Sequence, residues 1–170
     1  ADVVINYVSE SSKEKAEKAA EYVRGKGKTA LVIQADVSKE EAVSAMMDAI
    51  VQKFGRLDIL VNNAGINSNH NIDDLTFEEW HRVLNTDIDS GFLCSKYAVP
   101  IMRKQKHGRI IMISSMVGQQ GALFGQVHYA SAKAAQQGFA RTLARSVALD
   151  GITVNCVAPG THMTETLEAI

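Results

Sequence analysis

The chain has 170 residues, with 18 Lys and Arg against 19 Asp and Glu, and 46% of its residues are hydrophobic. This composition is typical of one globular domain with a hydrophobic core. The net charge of −1 indicates no basic surface for nucleic acid or an anionic membrane. The sequence contains no apolar run of about 18 residues, so no transmembrane helix is predicted.

The predicted elements alternate between short apolar strands and longer helices. Strands are predicted, in chain order, at Val3–Ile5, Leu31–Ile33, Leu57–Val61, Ile110–Ile113 and Thr153–Val157. Helices are predicted between them at 11–25, 38–54, 76–105 and 129–149, the first three opened by the capping patterns Ser11-x-x-Glu14, Ser38-x-x-Glu41 and Thr76-x-x-Glu79. Strand–helix alternation with continuously apolar strands predicts an α/β fold, a doubly wound parallel sheet covered on both faces.

The cysteines and histidines show no metal-ligand spacing. Cys94 and Cys156 are far apart in the chain, and the five His residues form no HExxH pair, so we expect no bound metal. Two isolated cysteines are typical of reduced thiols in an intracellular protein, and we expect a cytoplasmic location.

Small and polar residues follow four of the predicted strands. These segments are Asp36-Val37, Asn62-Asn63-Ala64-Gly65, Ser114-Ser115 and Pro159-Gly160-Thr161. Taken singly, each favours an ordinary structural role, such as a turn, a helix cap or a chain reversal. In a parallel sheet, however, the carboxyl ends of the strands share one edge, and ligands bind there. The four segments together therefore predict a ligand site at that edge.

Tyr129 and Lys133 form the most informative pair. Their i, i+4 spacing predicts that both side chains lie on one face of a helix. A lysine ammonium beside a phenol lowers the phenol pKa from about 10, as a general acid–base near neutral pH requires. Ser115, at the end of the neighbouring strand, is placed to hydrogen-bond a substrate carbonyl oxygen.

Ser115, Tyr129 and Lys133 resemble the catalytic site of the short-chain dehydrogenase/reductase family. The resemblance extends from Val3 to Thr164 and includes Asn62–Gly65 and Ile152–Gly160. Within the family, the chain is most similar to the 3-oxoacyl-carrier-protein reductase type, with sugar and polyol dehydrogenases nearby. The resemblance implies a Rossmann-like fold and an oxidoreductase that transfers a hydride between NADP(H) and a carbonyl or secondary alcohol.

The resemblance also implies a role for each matching residue. Ser115 would orient the carbonyl, Tyr129 would donate or accept the proton, and Lys133 would bind the nicotinamide ribose and lower the pKa of Tyr129. The expected cofactor contacts are Asp36 and Val37 at the adenine, Asn63, Ala64 and Gly65 in the cleft, and Pro159, Gly160, His162 and Thr164 at the nicotinamide.

The choice between NAD and NADP depends on the end of the first strand. An acidic residue there would bind the ribose 2′-hydroxyl of NAD. This strand runs into Ser9 and has no carboxylate before Glu10, which favours NADP, with Ser9 donating to the 2′-phosphate. Alternatively, Ser9 belongs only to the turn that caps the following helix.

One catalytic position departs from the family pattern. Counting back five residues from Phe92, where the family has a catalytic Asn, gives Asp87. Asn85 is two residues away, about 200° around a helix, and faces elsewhere. We expect the Asp87 charge to stabilise the Lys133 cation and to weaken its effect on Tyr129.

The glycine pattern is a second departure. None of the 12 Gly residues forms the Gly-rich turn that binds the pyrophosphate in the family. The resemblance therefore implies that residues 1–170 are one partial Rossmann domain, a fragment without the first and last strands. A non-catalytic fragment or pseudoenzyme is the alternative to an enzyme.

The two long helices, 76–105 and 129–149, resemble those that pair between subunits in the family. A homo-oligomer, either a dimer or a tetramer, is therefore expected. Ala134, Ala135 and Gly138 would permit close helix approach, but packing of these small residues on the sheet explains them equally well.

Overall fold

The fold was analysed in a computed structural model that describes residues 1–123 and 125–160. Two compact units divide the chain, one formed by Ala1–Leu57 and the other beginning at Asp58. The described strands form two parallel sheets, one in each unit. The α/β class with parallel strands is thus confirmed. None of the described helices combines the length and the apolar character needed to cross a membrane.

The first unit is a parallel strand pair with two helices. Its elements are β1 (Val3–Tyr7), α1 (Glu10–Gly25), β2 (Ala30–Gln34) and α2 (Glu40–Phe54). The pairing runs without interruption from Val3 opposite Ala30 to Tyr7 opposite Gln34. The buried side chains are Ala16 and Ala20 of α1, Ala35 after β2 and an apolar stripe on α2, which consists of Val43, Met46, Met47 and Ile50.

The capping patterns predicted for α1 and α2 were displaced by one or two residues. The N-cap of α1 is Ser9, whose backbone N–H donates to Ser12 Oγ at 3.2 Å, and Ser11 lies inside the helix. The N-cap of α2 is Lys39, because the Ser38 hydroxyl donates to Asp36 instead, at 2.7 Å. Sequence patterns identify the capping turn better than they identify the capping residue.

The second unit contains the remaining elements. They are β3 (Ile59–Asn62), α3 (Phe77–Leu84), a π-turn (Asn85–Asp89), α4 (Ser90–Gln105), β4 (Gly108–Ile113), α5 (Val117–Gln120), α6 (Val127–Val147), a 3₁₀ turn (Ala148–Asp150) and β5 (Ile152–Val157). Thr76 caps α3 as predicted, since its hydroxyl accepts the Glu79 N–H at 3.1 Å. The short helix α5 was not predicted.

The three strands of this unit form a parallel sheet in the order β3-β4-β5. The central strand β4 contributes Ile110 and Met112, which are fully buried beneath α4 and α6. On the opposite face, Ile59, Val61 and Val157 are each about half exposed. Within the described residues of this unit, this face is therefore less buried than the face beneath α4 and α6.

The long helix predicted over 76–105 is helical throughout but contains a π-turn. The turn at Asn85–Asp89 is wider than an α-helical turn and frees backbone carbonyls from the helical ladder. The carbonyl oxygen of Asp87 accepts a hydrogen bond from Gln136 Nε2 of α6 at 2.7 Å. This contact fixes the turn, and Asp87 lies fully buried within it.

Candidate active site

Ser115 and Tyr129 meet at the carboxyl end of β4. Ser115 is the second residue after that strand, and Tyr129 is the third residue of α6. Both side chains are partly buried, and the Ser115 hydroxyl is close enough to the Tyr129 phenol to influence its pKa. The pKa of Tyr129 is raised because burial disfavours the phenolate, while the Ser115 hydroxyl lowers it and the Asp87 charge raises it further.

Lys133 lies one helical turn after Tyr129 and is almost fully buried. Its Nζ lies 5.3 Å from the centroid of the Tyr129 ring, donates to the Ile113 carbonyl at 3.1 Å and is 3.1 Å from Asp87 Oδ2. The sequence predicted that Lys133 lowers the pKa of Tyr129. In this arrangement the pKa is raised instead, because burial of the phenol is the largest influence and the Asp87 charge adds to it.

Asp87 connects three separate segments of the second unit. Its Oδ1 accepts the Ile66 N–H at 2.7 Å, and its Oδ2 pairs with Lys133. Burial raises the pKa of the Asp87 carboxyl, and the Lys133 charge opposes that effect. Asn85 is exposed on the same turn, so the structure directs Asp87, not Asn85, into the site.

Gly65 allows the backbone to approach this ion pair. A Cβ atom at position 65 would lie 3.1 Å from Asp87 Oδ2 and 3.2 Å from Lys133 Nζ. Any larger residue would push against both charged groups. Of the neighbouring residues, Asn63 is exposed and Ala64 is partly buried. The small residues Ala64 and Gly65 therefore allow the backbone after β3 to lie next to Lys133.

The end of β5 closes the same edge of the sheet. Ser114 N–H donates to the Val157 carbonyl at 2.8 Å, and Met116 N–H donates to the Pro159 carbonyl at 3.0 Å. Gly160 follows in an exposed position. The other two predicted nicotinamide contacts, His162 and Thr164, lie outside the described residues.

Known proteins resemble the chain over nearly all of its length. The sequence model of the family described as short chain dehydrogenase matches residues 2–170. The chain belongs to this family. It is therefore a member of a family of NAD(P)-dependent oxidoreductases, and a nicotinamide cofactor goes with that membership.

The relatives indicate a subgroup within the short-chain dehydrogenases. The chain is 40% identical over 169 residues to the 3-oxoacyl-[acyl-carrier-protein] reductase FabG of Staphylococcus aureus and 39% identical over 160 residues to that of Escherichia coli. These alignments cover 99% and 94% of the chain, and 68% and 64% of the relatives. A crystal structure of a short-chain dehydrogenase/reductase from Burkholderia xenovorans superimposes with a TM-score of 0.91 at 30% identity, covering 99% of the chain and 63% of that structure.

Three predicted cofactor contacts belong to the first unit. Asp36 follows β2, is exposed and accepts hydrogen bonds from Ser38, which lower the pKa of its carboxyl. Val37 beside it is partly buried. Ser9 is exposed at the N-terminus of α1, with its hydroxyl 2.7 Å from Ser11 Oγ.

Three residues support the candidate site in ways that the sequence did not indicate. Ser114 Oγ donates to the Lys133 carbonyl at 2.7 Å, and Gln137 Nε2 donates to Ser114 Oγ at 3.2 Å. Gln136, which precedes Gln137 in α6, donates its side-chain N–H to the Asp87 carbonyl. Consecutive glutamines one turn after Lys133, in a helix predicted to pack on a sheet, were the available signal, because buried amides require polar partners.

Asp87→Asn tests the effect of the ion pair on Tyr129. The amide retains an oxygen for the Ile66 N–H but leaves Lys133 without a counter-charge. We expect the free energy of unfolding to fall by about 3 kcal/mol, since removing one partner strands a buried charge. We also expect the pKa of Tyr129 to fall, because the negative charge that raises it is gone.

Urea unfolding measures the first effect, and the absorbance of the phenolate during a pH titration measures the second. Asp89→Asn, at an exposed position of the same π-turn, is the control and should change neither quantity. A Tyr129 pKa that stays at or above its wild-type value in Asp87→Asn would contradict the assigned electrostatics.

Proposed function

We propose that the protein reduces a carbonyl, or oxidises the corresponding secondary alcohol, with NADP(H) as hydride carrier and Tyr129 as the general acid–base. The observation that carries this proposal is the placement of Ser115 and Tyr129 together at the carboxyl end of β4, beside buried Lys133, whose Nζ lies 5.3 Å from the centroid of the Tyr129 ring. A hydroxyl and a phenol that meet at one strand end are both within reach of one substrate oxygen. Ser115 would orient that oxygen while Tyr129 donates its proton.

The open backbone at Gly65 supports a cofactor beside Lys133. Because a side chain at this position would fill the space next to Lys133, the glycine fits a group that needs close backbone approach. The nicotinamide, when bound, supplies or accepts the hydride. Asn63, Ala64 and Gly65 would line its ribose, and Pro159 and Gly160 would lie at its carboxamide.

Lys133 would bind the nicotinamide ribose with its remaining donor. An ammonium has three N–H donors, of which one goes to the Ile113 carbonyl and one faces Asp87. The third is available for a ribose hydroxyl near Gly65. Because Asp87 and Ile113 hold the ammonium on two sides, the direction of the third donor is fixed.

A 3-oxoacyl thioester is the substrate class that we propose. The support is the 38 to 40% identity to relatives named 3-oxoacyl-[acyl-carrier-protein] reductase, over 94 to 99% of the chain. A sugar or polyol dehydrogenase is the alternative within the family, and a non-catalytic protein is the alternative outside catalysis. Oxidation of NADPH in the presence of a short 3-oxoacyl thioester, compared with sugars and polyols, separates these alternatives.

Tyr129→Phe tests the catalytic assignment. Phe retains the ring over Lys133 but removes the proton that reaches the substrate oxygen, so we expect the turnover of the full-length protein to fall by about 10²–10⁴. The affinity for NADPH should remain within about twofold, since the ring contacts are retained. Loss of NADPH absorbance measures turnover, and NADPH fluorescence measures affinity.

Tyr22→Phe is the matched control, because Tyr22 is 70% exposed on α1 and should be dispensable. If Tyr129→Phe retains more than half of the wild-type turnover, Tyr129 is not the acid. If no variant or wild-type protein reduces any carbonyl tested, the non-catalytic alternative is correct.

Three clustered hydroxyls favour NADP over NAD. Ser9 Oγ lies 2.7 Å from Ser11 Oγ and 3.2 Å from Ser12 Oγ at the N-terminus of α1. A helix N-terminus carries partial positive charge, and hydroxyls donate to phosphate oxygens, so the turn suits a 2′-phosphate. Ser9 is also the N-cap of α1, so both roles considered for it from the sequence are compatible.

Ser9→Asp tests the cofactor choice. A carboxylate at this position repels a 2′-phosphate but accepts a hydrogen bond from a 2′-hydroxyl, so we expect NADPH affinity to fall about tenfold or more and NADH affinity to hold or rise. Isothermal titration with each cofactor measures both. Ser12→Asp adds the same charge in the same turn and should change the preference less. An unchanged preference in Ser9→Asp would exclude Ser9 from the 2′-position.

We also propose that the protein is a homo-oligomer, with α4 and α6 at the interface. Phe92 of α4 is 48% exposed and meets Phe139 of α6 edge-to-face at 6.5 Å between ring centroids. Ala134 and Ala135 are exposed, and a Cβ at Gly138 would meet nothing within 4 Å. Because Ala134 and Ala135 are exposed, these small residues suit close approach of a second copy.

Phe92→Glu tests the interface. A charge in place of the Phe92 ring opposes burial against a second copy, so we expect the assembly to dissociate and the mass measured by light scattering to fall. Tyr22→Glu places the same charge on an exposed aromatic of the first unit and should leave the mass unchanged. A Phe92→Glu protein with the wild-type mass would place the interface elsewhere.

A further inference from the structure

The first turn of α6, which carries Tyr129, is fastened to the loop that follows β3. The contacts come from the segment Ser68–Asn71, which we call the latch. Gln126 N–H donates to the His70 carbonyl at 3.0 Å, and the Gln126 side-chain amide donates to Asn69 Oδ1. Gly125 has a φ of +67°, and a Cβ there would lie 2.6 Å from the His70 carbonyl oxygen.

His128 provides the side-chain contact to the latch. It directly precedes Tyr129 and is fully buried, and its Nε2 lies 2.8 Å from Ser68 Oγ. Its Nδ1 is buried without a hydrogen-bond partner. A buried imidazole with only one bonded nitrogen is poorly suited to carry charge, because the cation needs an acceptor at each nitrogen.

The surroundings of the ring assign the proton on His128. Nδ1 is buried and has no hydrogen-bond partner, so a proton there would be a buried donor without an acceptor. Nε2 lies 2.8 Å from Ser68 Oγ, which also lies 3.3 Å from His70 Nδ1. His128 Nε2–H therefore donates to Ser68 Oγ, and Nδ1 bears a lone pair.

We propose that His128 is a positioning residue for Tyr129, which in its neutral form holds the first turn of α6 against the latch through Ser68. This role rests on the proposed function of Tyr129. The hydrogen bond between His128 and Ser68, which we call the tie, is itself independent of catalysis. While the tie is formed, Tyr129 is kept partly buried beside Ser115. When the tie is broken, the first turn loosens, because only Gln126 still binds it to the latch, and water reaches the phenol.

Protonation of His128 breaks the tie. The new Nδ1–H would be a buried donor without an acceptor, so the charged ring must leave its pocket. When the ring leaves, its hydrogen bond to Ser68 is lost. The charged groups facing the ring are Glu79 and Asp87, which favour the cation, and His70 and Arg82, which oppose it. Burial is the largest influence, and it lowers the pKa of His128 below 6.5.

The titration of His128 makes the stability of the folded protein depend on pH. Above the unfolded-state value of about 6.5, His128 is neutral in both states, and the tie is fully present. Below it, the unfolded chain gains the proton more readily than the folded protein, so stability falls as the pH falls. Tyr129 should lose its position over the same acidic range.

Three variants separate the tie from the titration. Ser68→Ala removes the acceptor and should release the first turn at every pH. His128→Gln retains a donor near the position of Nε2 but cannot titrate, so the tie should persist at acidic pH. His81→Gln, at an exposed histidine of α3, is the control.

The first measurement is the pKa of Tyr129, from the phenolate absorbance of each protein minus that of the same protein with Tyr129→Phe. Burial raises this pKa, so release of the first turn in Ser68→Ala should lower it towards 10, by about half a unit or more. His128→Gln and His81→Gln should retain the wild-type value. A wild-type pKa in a folded Ser68→Ala protein would overturn the proposal.

The second measurement is carbonyl reduction between about pH 5 and pH 8. Wild type and His81→Gln should lose turnover as the pH falls through the pKa of His128, and His128→Gln should not. An acidic loss that persists unchanged in His128→Gln would overturn the proposal. If the protein reduces no carbonyl, the proposed function fails, and the Tyr129 titration alone still decides whether the latch positions Tyr129.

Discussion

The buried ion pair between Asp87 and Lys133 holds the candidate site together. Asp87 also accepts the Ile66 N–H, and Lys133 also donates to the Ile113 carbonyl, so one pair joins the loop after β3, the π-turn, α6 and the end of β4. Taking two charges out of water costs several kcal/mol per ion, which only close geometry and further hydrogen bonds offset. The remaining site residues are positioned by elements that this pair connects.

The pair also influences the protonation of Tyr129. Burial is the largest influence and raises the phenol pKa, the Ser115 hydroxyl lowers it, and the Asp87 charge raises it. In this member of the short-chain dehydrogenase family, the phenolate form of Tyr129 is therefore less favoured than the spacing to Lys133 alone indicates.

Buried side-chain amides and hydroxyls support this arrangement from α6. Gln136 fixes the Asp87 carbonyl, Gln137 reaches Ser114, and His128 binds Ser68. Each contact joins residues more than 20 positions apart in sequence. They explain how α6, which presents Tyr129 and Lys133 on one face, is held in a single orientation against β4 and the loop after β3.

The sequence by itself determined the features that depend on local spacing. The parallel α/β class, the Thr76 cap, the end of α2 at Phe54 and the shared face of Tyr129 and Lys133 all follow from periodicity and backbone preferences over a few residues. Only the tertiary structure decided the π-turn, the partner of Lys133 and the upward pKa shift of Tyr129. These depend on desolvation and on contacts between distant segments, and no local pattern encodes how deeply a side chain is buried or which charge it meets there.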